Sequence, residues 1–117
     1  MKYLESFDFF DGDYQEVTRG KFNDETSKMS YLGGTEEQRI KIQKIFDKFF
    51  LSAEVRIYGS GEYYYIEELN SNITIFIYKY DDEWYYLENY NSETYKSKYY
   101  KCDGIEGLQK YLQDNFQ

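Results

Sequence analysis

Histidine and proline are absent from this chain, cysteine and tryptophan occur once each, Ala53 is the only alanine, and Arg19, Arg39 and Arg56 are the only arginines. Several of these gaps remove a class of chemistry. Without histidine there is no Ser-His-Asp or Cys-His machinery and no imidazole general base. With Cys102 alone there is no intramolecular disulfide, which fits a reducing compartment, and a zinc site of four Cys/His ligands cannot be built. No apolar run approaches the roughly 18 residues that a membrane span needs. Met1-Lys2 leads into no apolar h-region, so no signal peptide is expected and no membrane partner. The expected location is the cytoplasm, or a virion if the protein is viral.

What is present is skewed toward aromatic residues. The chain has 117 residues, the size of one compact α+β domain, and 16 tyrosines, 9 phenylalanines and Trp84 bring aromatics to 22%. Disordered segments are poor in such side chains, so a folded protein is expected. Lys, Asn, Ile, Tyr and Phe are residues of AT-rich codons, which points to a low-GC bacterium, a phage or a large DNA virus. Asp and Glu number 22 against 14 Lys and Arg, a net charge of -8. That balance argues against a nucleic-acid partner, because phosphate binding needs local positive charge.

Two stretches read as amphipathic helices. Thr35-Glu36-Glu37-Gln38 is a capping-box pattern, in which the threonine oxygen accepts from the Gln38 N–H and the Gln38 side chain reaches back. Ile42, Ile45, Phe46, Phe49 and Phe50 then recur at helical spacing, predicting a helix over about 35–51. Asp103 with Glu106, followed by Ile105, Leu108 and Leu112, predicts a second over about 104–115.

Between them the chain reads as strands joined by short turns: 55–58, 62–68, 73–80, 83–89 and 94–102. The segment before Thr35 is harder to read. Tyr14 to Thr18 suits a strand returning from an Asp11-Gly12 turn, 20–30 suits a polar loop, and Met29, Tyr31 and Leu32 suit a short strand. The expected architecture is an antiparallel meander of four to six strands with both helices on one face.

Alternation in the strand after Asn72 then separates two faces. Ile73, Ile75 and Ile77 point toward the helices, and Thr74, Phe76, Tyr78 and Tyr80 point away. Phe76, Tyr78, Tyr80, Trp84, Tyr86 and Tyr99 are therefore the candidate protein-binding residues, on a face that is a binding surface, an oligomer interface or a bed for the Phe-rich N-terminal segment.

Other patterns carry less. Tyr95-Lys96-Ser97-Lys98-Tyr99-Tyr100-Lys101 interleaves rings with lysines in the manner of single-strand nucleic-acid binders, but the net charge favours a solvated strand. Asp8, Asp11 and Asp13, and Asp81, Asp82 and Glu83, are oxygen-rich but lack the EF-hand pattern, so no metal is expected. Glu67-Glu68 and Glu83/Glu88 are carboxylate pairs without a cleft motif. Gly59-x-Gly61 is a turn rather than a phosphate loop. Cys102, before a helix start, is a small core residue or a thiol of lowered pKa.

Residues about 73–114 read Ile-Thr-Ile-Phe-Ile-Tyr-Lys-Tyr-Asp-Asp-Glu-Trp-Tyr-Tyr, then Tyr99-Tyr100-Lys101-Cys102-Asp103-Gly104, then Gly107-Leu108 and Leu112. This stretch, about a third of the chain, resembles small uncharacterised proteins of large DNA viruses and T4-like phages. The resemblance implies no activity, no cofactor and no catalytic residue. The expected function is a non-enzymatic accessory protein that binds a protein partner or itself, as a homo-oligomer, through the tyrosine-rich face. The alternative is an acidic inhibitor or nucleic-acid mimic that blocks a host enzyme.

Overall fold

The computed structural model describes residues 13–27, 35–59, 63–69, 72–79 and 84–116. Among them are six strands, β1 (Tyr14–Val17), β2 (Arg56–Tyr58), β3 (Tyr63–Leu69), β4 (Ile73–Lys79), β5 (Trp84–Asn91) and β6 (Lys96–Asp103), and three helices, α1 (Arg19–Thr26), α2 (Glu36–Phe46) and α3 (Gly104–Phe116). The strands form one antiparallel sheet in the order β1-β6-β5-β4-β3-β2. The fold is α+β. Strands β2 to β6 are the expected meander. β1 departs from it by pairing with the last strand, Tyr14 opposite Cys102 and Val17 opposite Tyr99. The Asp11-Gly12 turn, the short strand around Tyr31 and the acidic stretches at Asp8 and Asp81 lie outside the described residues.

The aliphatic row faces the helices, as its alternation predicts. Ile75 and Ile77 are fully buried, Ile73 packs at the margin, and Leu87, Tyr100 and Cys102 continue the same face across β5 and β6. Ile42, Ile45 and Phe46 of α2 and Leu108, Tyr111 and Leu112 of α3 close over it. Each such aliphatic side chain contributes about 1.5–3 kcal/mol on burial, so this layer is the main source of stability. Tyr111 is wholly buried, and its hydroxyl accepts from Asn89 Nδ2 at 2.8 Å.

The capping box of α2 is half realised. Thr35 Oγ1 accepts from the Gln38 N–H at 3.1 Å, but Gln38 Oε1 accepts from the Tyr85 hydroxyl at 2.9 Å. The Thr35 N–H is left for the hydroxyl of Tyr64, at 3.1 Å. Two sheet tyrosines thus anchor the helix start. The helix is also shorter than 35–51. It ends at Phe46 with Asp47 as its cap, and tightened turns then bring Phe49 and Phe50 against the core.

Gln43 determines where β2 begins. Its amide donates to the Ala53 carbonyl and its oxygen accepts from the Val55 N–H, both at 2.8 Å. The Val55 carbonyl accepts from Arg39 Nη1 at 3.1 Å. Side chains of α2 therefore take up both backbone polar groups of Val55, and the strand starts one residue later.

At the other end of the sheet, Gly104 turns β6 directly into α3 with a left-handed φ of 67°, open to glycine at little cost. Asp103, read as an N-cap, is still the last residue of β6, and its N–H donates to the Asp13 carbonyl at 2.9 Å.

Candidate functional site

Register places the remaining large side chains on the opposite, aromatic face. Tyr65, Phe76, Glu88 and Tyr99 lie side by side across four strands. Tyr78, Tyr86 and Lys101 form the next row, and Thr74, Tyr90 and Ser97 the row on the other side. Of the sequence candidates, Phe76, Tyr78, Trp84, Tyr86 and Tyr99 are all on this face. Tyr80 lies outside the described residues.

One helix that the sequence reading missed divides this face in two. The helix α1 overlaps the stretch 20–30 expected to be a polar loop, and it is capped by Thr18 Oγ1 accepting from the Lys21 N–H at 3.1 Å. Its one buried residue is Phe22. The ring sits 4.6 Å from that of Tyr99, 5.5 Å from Tyr78 and 6.3 Å from Tyr86. Tyr86 is wholly buried, with its hydroxyl 3.4 Å from Glu25 Oε1. It is therefore a packing residue beneath α1, not part of an accessible surface. Burial also pushes the Tyr78 hydroxyl up to about 12, with the charges of Tyr63 and Glu88 adding to it. At the far end Lys101 Nζ lies 4.3 Å from the centre of the Trp84 ring.

Two hollows on the rest of the face, among the described residues, meet at Tyr90. The larger, about 600 Å³, lies where β1 stops and α1 begins, lined by Arg19, Glu88, Tyr90, Tyr95 and Tyr99 among others. Glu88 is held there by the Ser97 hydroxyl, which donates to Oε2 at 2.7 Å. Tyr95 stands at the rim, 80% exposed, with a φ of 60°. An L-residue rarely takes that conformation, which costs about 1–2 kcal/mol. The Asn91 carbonyl holds it by accepting from the Tyr95 N–H at 2.8 Å. The smaller hollow, about 370 Å³, is formed by Tyr58, Tyr63, Tyr65, Glu67, Phe76 and Tyr90 with Thr74. Tyr58 and Tyr63 stack there face to face, 4.7 Å apart and 3° from parallel, and Tyr58 is half exposed. Tyr58, Tyr65 and Tyr90 were outside the candidate set, although alternation along β3 and β5 could have included the last two.

Rings and hydroxyls line this face, with carboxylates at Glu67 and Glu88 and a guanidinium at Arg19. Among the described residues no three His, Cys, Asp or Glu side chains converge as a metal site, and no helix is long and apolar enough to cross a membrane. Cys102 is fully buried on the helix side, and burial pushes its thiol up rather than down. Comparison with family models, with curated proteins and with solved structures finds no match.

Proposed function

We propose that this is a non-enzymatic interaction module whose aromatic sheet face receives a protein partner. The observation that carries the reading is the pair of hollows joined at Tyr90, which among the described residues leave part of the aromatic face uncovered while α2 and α3 pack over the opposite face. The Phe-rich N-terminal segment, read from sequence as one candidate cover, lies outside the described residues. Interface centres favour tyrosine, because the ring supplies apolar area and the hydroxyl a polar contact. The AT-rich composition and the resemblance of residues 73–114 support placing the protein among small accessory proteins of a virus or phage, acting in the host cytoplasm or the virion.

The test is affinity capture from host lysate by the wild-type chain, Tyr58→Ala and Tyr90→Ser, alongside solution mass over a concentration series. Capture lost in both variants, with thermal unfolding unchanged, supports the reading. A dimer that both substitutions dissociate makes a second copy the partner. Unaltered capture by both variants places the interface elsewhere and sinks the proposal.

A further inference from the structure

The two ends of the aromatic face treat positive charge differently. At the Trp84 end a lysine of the chain itself is seated on the rings, Lys101 Nζ lying 4.3 Å from the centre of Trp84 and 5.8 Å from that of Tyr86. An ammonium in that position is drawn to the negative face of the π-system. At the other end the smaller hollow surrounds Glu67 with the rings of Tyr58, Tyr63, Tyr65, Phe76 and Tyr90. Glu67 is exposed, is the hollow's only charged lining side chain, and has no hydrogen-bond or ion-pair partner among the described residues. The nearby cation, Arg56, stands opposite Tyr65 at the edge of the hollow, where it bonds Glu54 Oε1 at 3.0 Å and the Tyr65 hydroxyl and is not paired with Glu67. The hollow therefore has ring faces and a carboxylate, as a cation site does, and among the described residues no cation is paired with that carboxylate.

We propose that this hollow receives an arginine side chain of a linear basic peptide segment, the guanidinium lying on the tyrosine rings and donating to the Glu67 carboxylate. The proposal rests on the interaction reading above and names the chemistry of its partner. Size argues for a segment rather than a folded surface, since about 370 Å³ admits one or two side chains. Tyr58 and Tyr90 stand on strands three sheet spacings apart, about 14 Å, which about four extended residues cover. Charge argues for a basic segment. The chain carries -8, and a neutral occupant would desolvate Glu67 without giving it a partner. Arginine fits better than lysine, because its planar fork stacks on rings and meets a carboxylate with two parallel N–H groups.

The experiment uses a fluorescently labelled Gly/Ser peptide carrying a pair of arginines, and a twin in which neutral citrulline replaces both. Each is titrated by anisotropy, at moderate salt, against wild type, Glu67→Gln, Phe76→Leu and Glu93→Gln. Glu93 is an exposed carboxylate in the β5–β6 turn, so its variant controls for net charge. Saturable binding of the arginine peptide is expected, weakened about tenfold by citrulline or by Glu67→Gln and unchanged by Glu93→Gln. Phe76→Leu removes a ring and keeps an apolar side chain, and a weakening of about threefold is expected. Equal weakening by Glu67→Gln and Glu93→Gln would reduce the effect to general charge attraction and overturn the proposal. Equal binding of the citrulline peptide would overturn it in favour of neutral stacking ligands, and absence of saturation would overturn it outright. If the peptide fails while Tyr58→Ala and Tyr90→Ser still abolish partner capture, the arginine assignment falls and the interaction face stands.

Discussion

Gly107 of α3 lies so close to the backbone carbonyl of Asp13 that a Cβ at this position would occupy the same space as the oxygen. The carbonyl carbon of Cys102 would be only 3.1 Å from it. Both obstacles are backbone, so neither can rotate away. Helix propensity alone would make Gly107→Ala stabilising by about 1 kcal/mol. The contact reverses the sign, and the substitution should destabilise the protein by about 3 kcal/mol, read from urea unfolding. A variant as stable as wild type would mean that β1 does not lie against α3 as described.

Gln43→Leu should cost about 2–4 kcal/mol, although leucine is the better helix former. The substitution strips partners from the Ala53 carbonyl and the Val55 N–H at once, beside the fully buried Val55 side chain. Gln43→Glu separates the two bonds, since it keeps the acceptor for Val55 and loses the donor to Ala53. It should fall between leucine and wild type in the same measurement.

Phe22→Ala should release α1 and leave the sheet folded. An eight-residue helix does not persist alone, and Phe22 is the only buried side chain holding it. Backbone amides over 19–26 should exchange at nearly unprotected rates, while those of β4 and β5 stay protected. Equal loss of protection in both regions would show that α1 and the sheet unfold as one unit.

Tyr95→Gly should raise stability by about 1 kcal/mol, since glycine takes a φ of 60° without steric cost. If Tyr95 also contacts the partner, the same variant should capture less of it. Stability and binding moving in opposite directions would mark the strained residue as one held for its side chain.

The protein should lose stability above pH 10. In the unfolded chain Tyr78 ionises near the ordinary value of 10, whereas in the fold it holds its proton to about 12. Burial likewise raises Tyr64 and Tyr100. The native state therefore binds more protons than the unfolded state in this window. The stabilisation these hydroxyls contribute is complete below pH 10 and lost as pH rises toward about 12. Tyr78→Phe should flatten part of that slope in urea titrations. An unchanged slope would remove Tyr78 from the account.

Long periodic elements were legible from sequence because a single pattern ran through each. Ile42, Ile45 and Phe46 marked α2, and Ile73, Ile75 and Ile77 marked both β4 and its buried side. Phe22 could not be found this way, since one apolar residue in eight makes no period, and the cap at Thr18 gains meaning only once the helix is known. The end of α2 was overextended because Phe49 and Phe50 keep helical spacing and a buried role after the helix has stopped. Tyr86 fitted the alternation and was placed on the correct face. What alternation cannot tell is whether another element lies over that face, and here Phe22 does. The role of Gln38 was half legible, because the tyrosine that takes its side chain is 47 positions away.

The pairing of β1 with β6 gives the chain an order of events. Tyr14 meets Asp114 across a separation of 100 positions, and the Asp13 carbonyl waits for the N–H of Asp103. A ribosome emits β1 long before β6, its neighbour in the sheet among the described residues, exists. The hairpins from β2 to β5 can close while synthesis continues, but the four residues of β1 cannot pair fully with β6 until position 102 has been made. Among the described residues the seam between β1, β6 and α3 then sets after those hairpins, and a slow phase in refolding should belong to it.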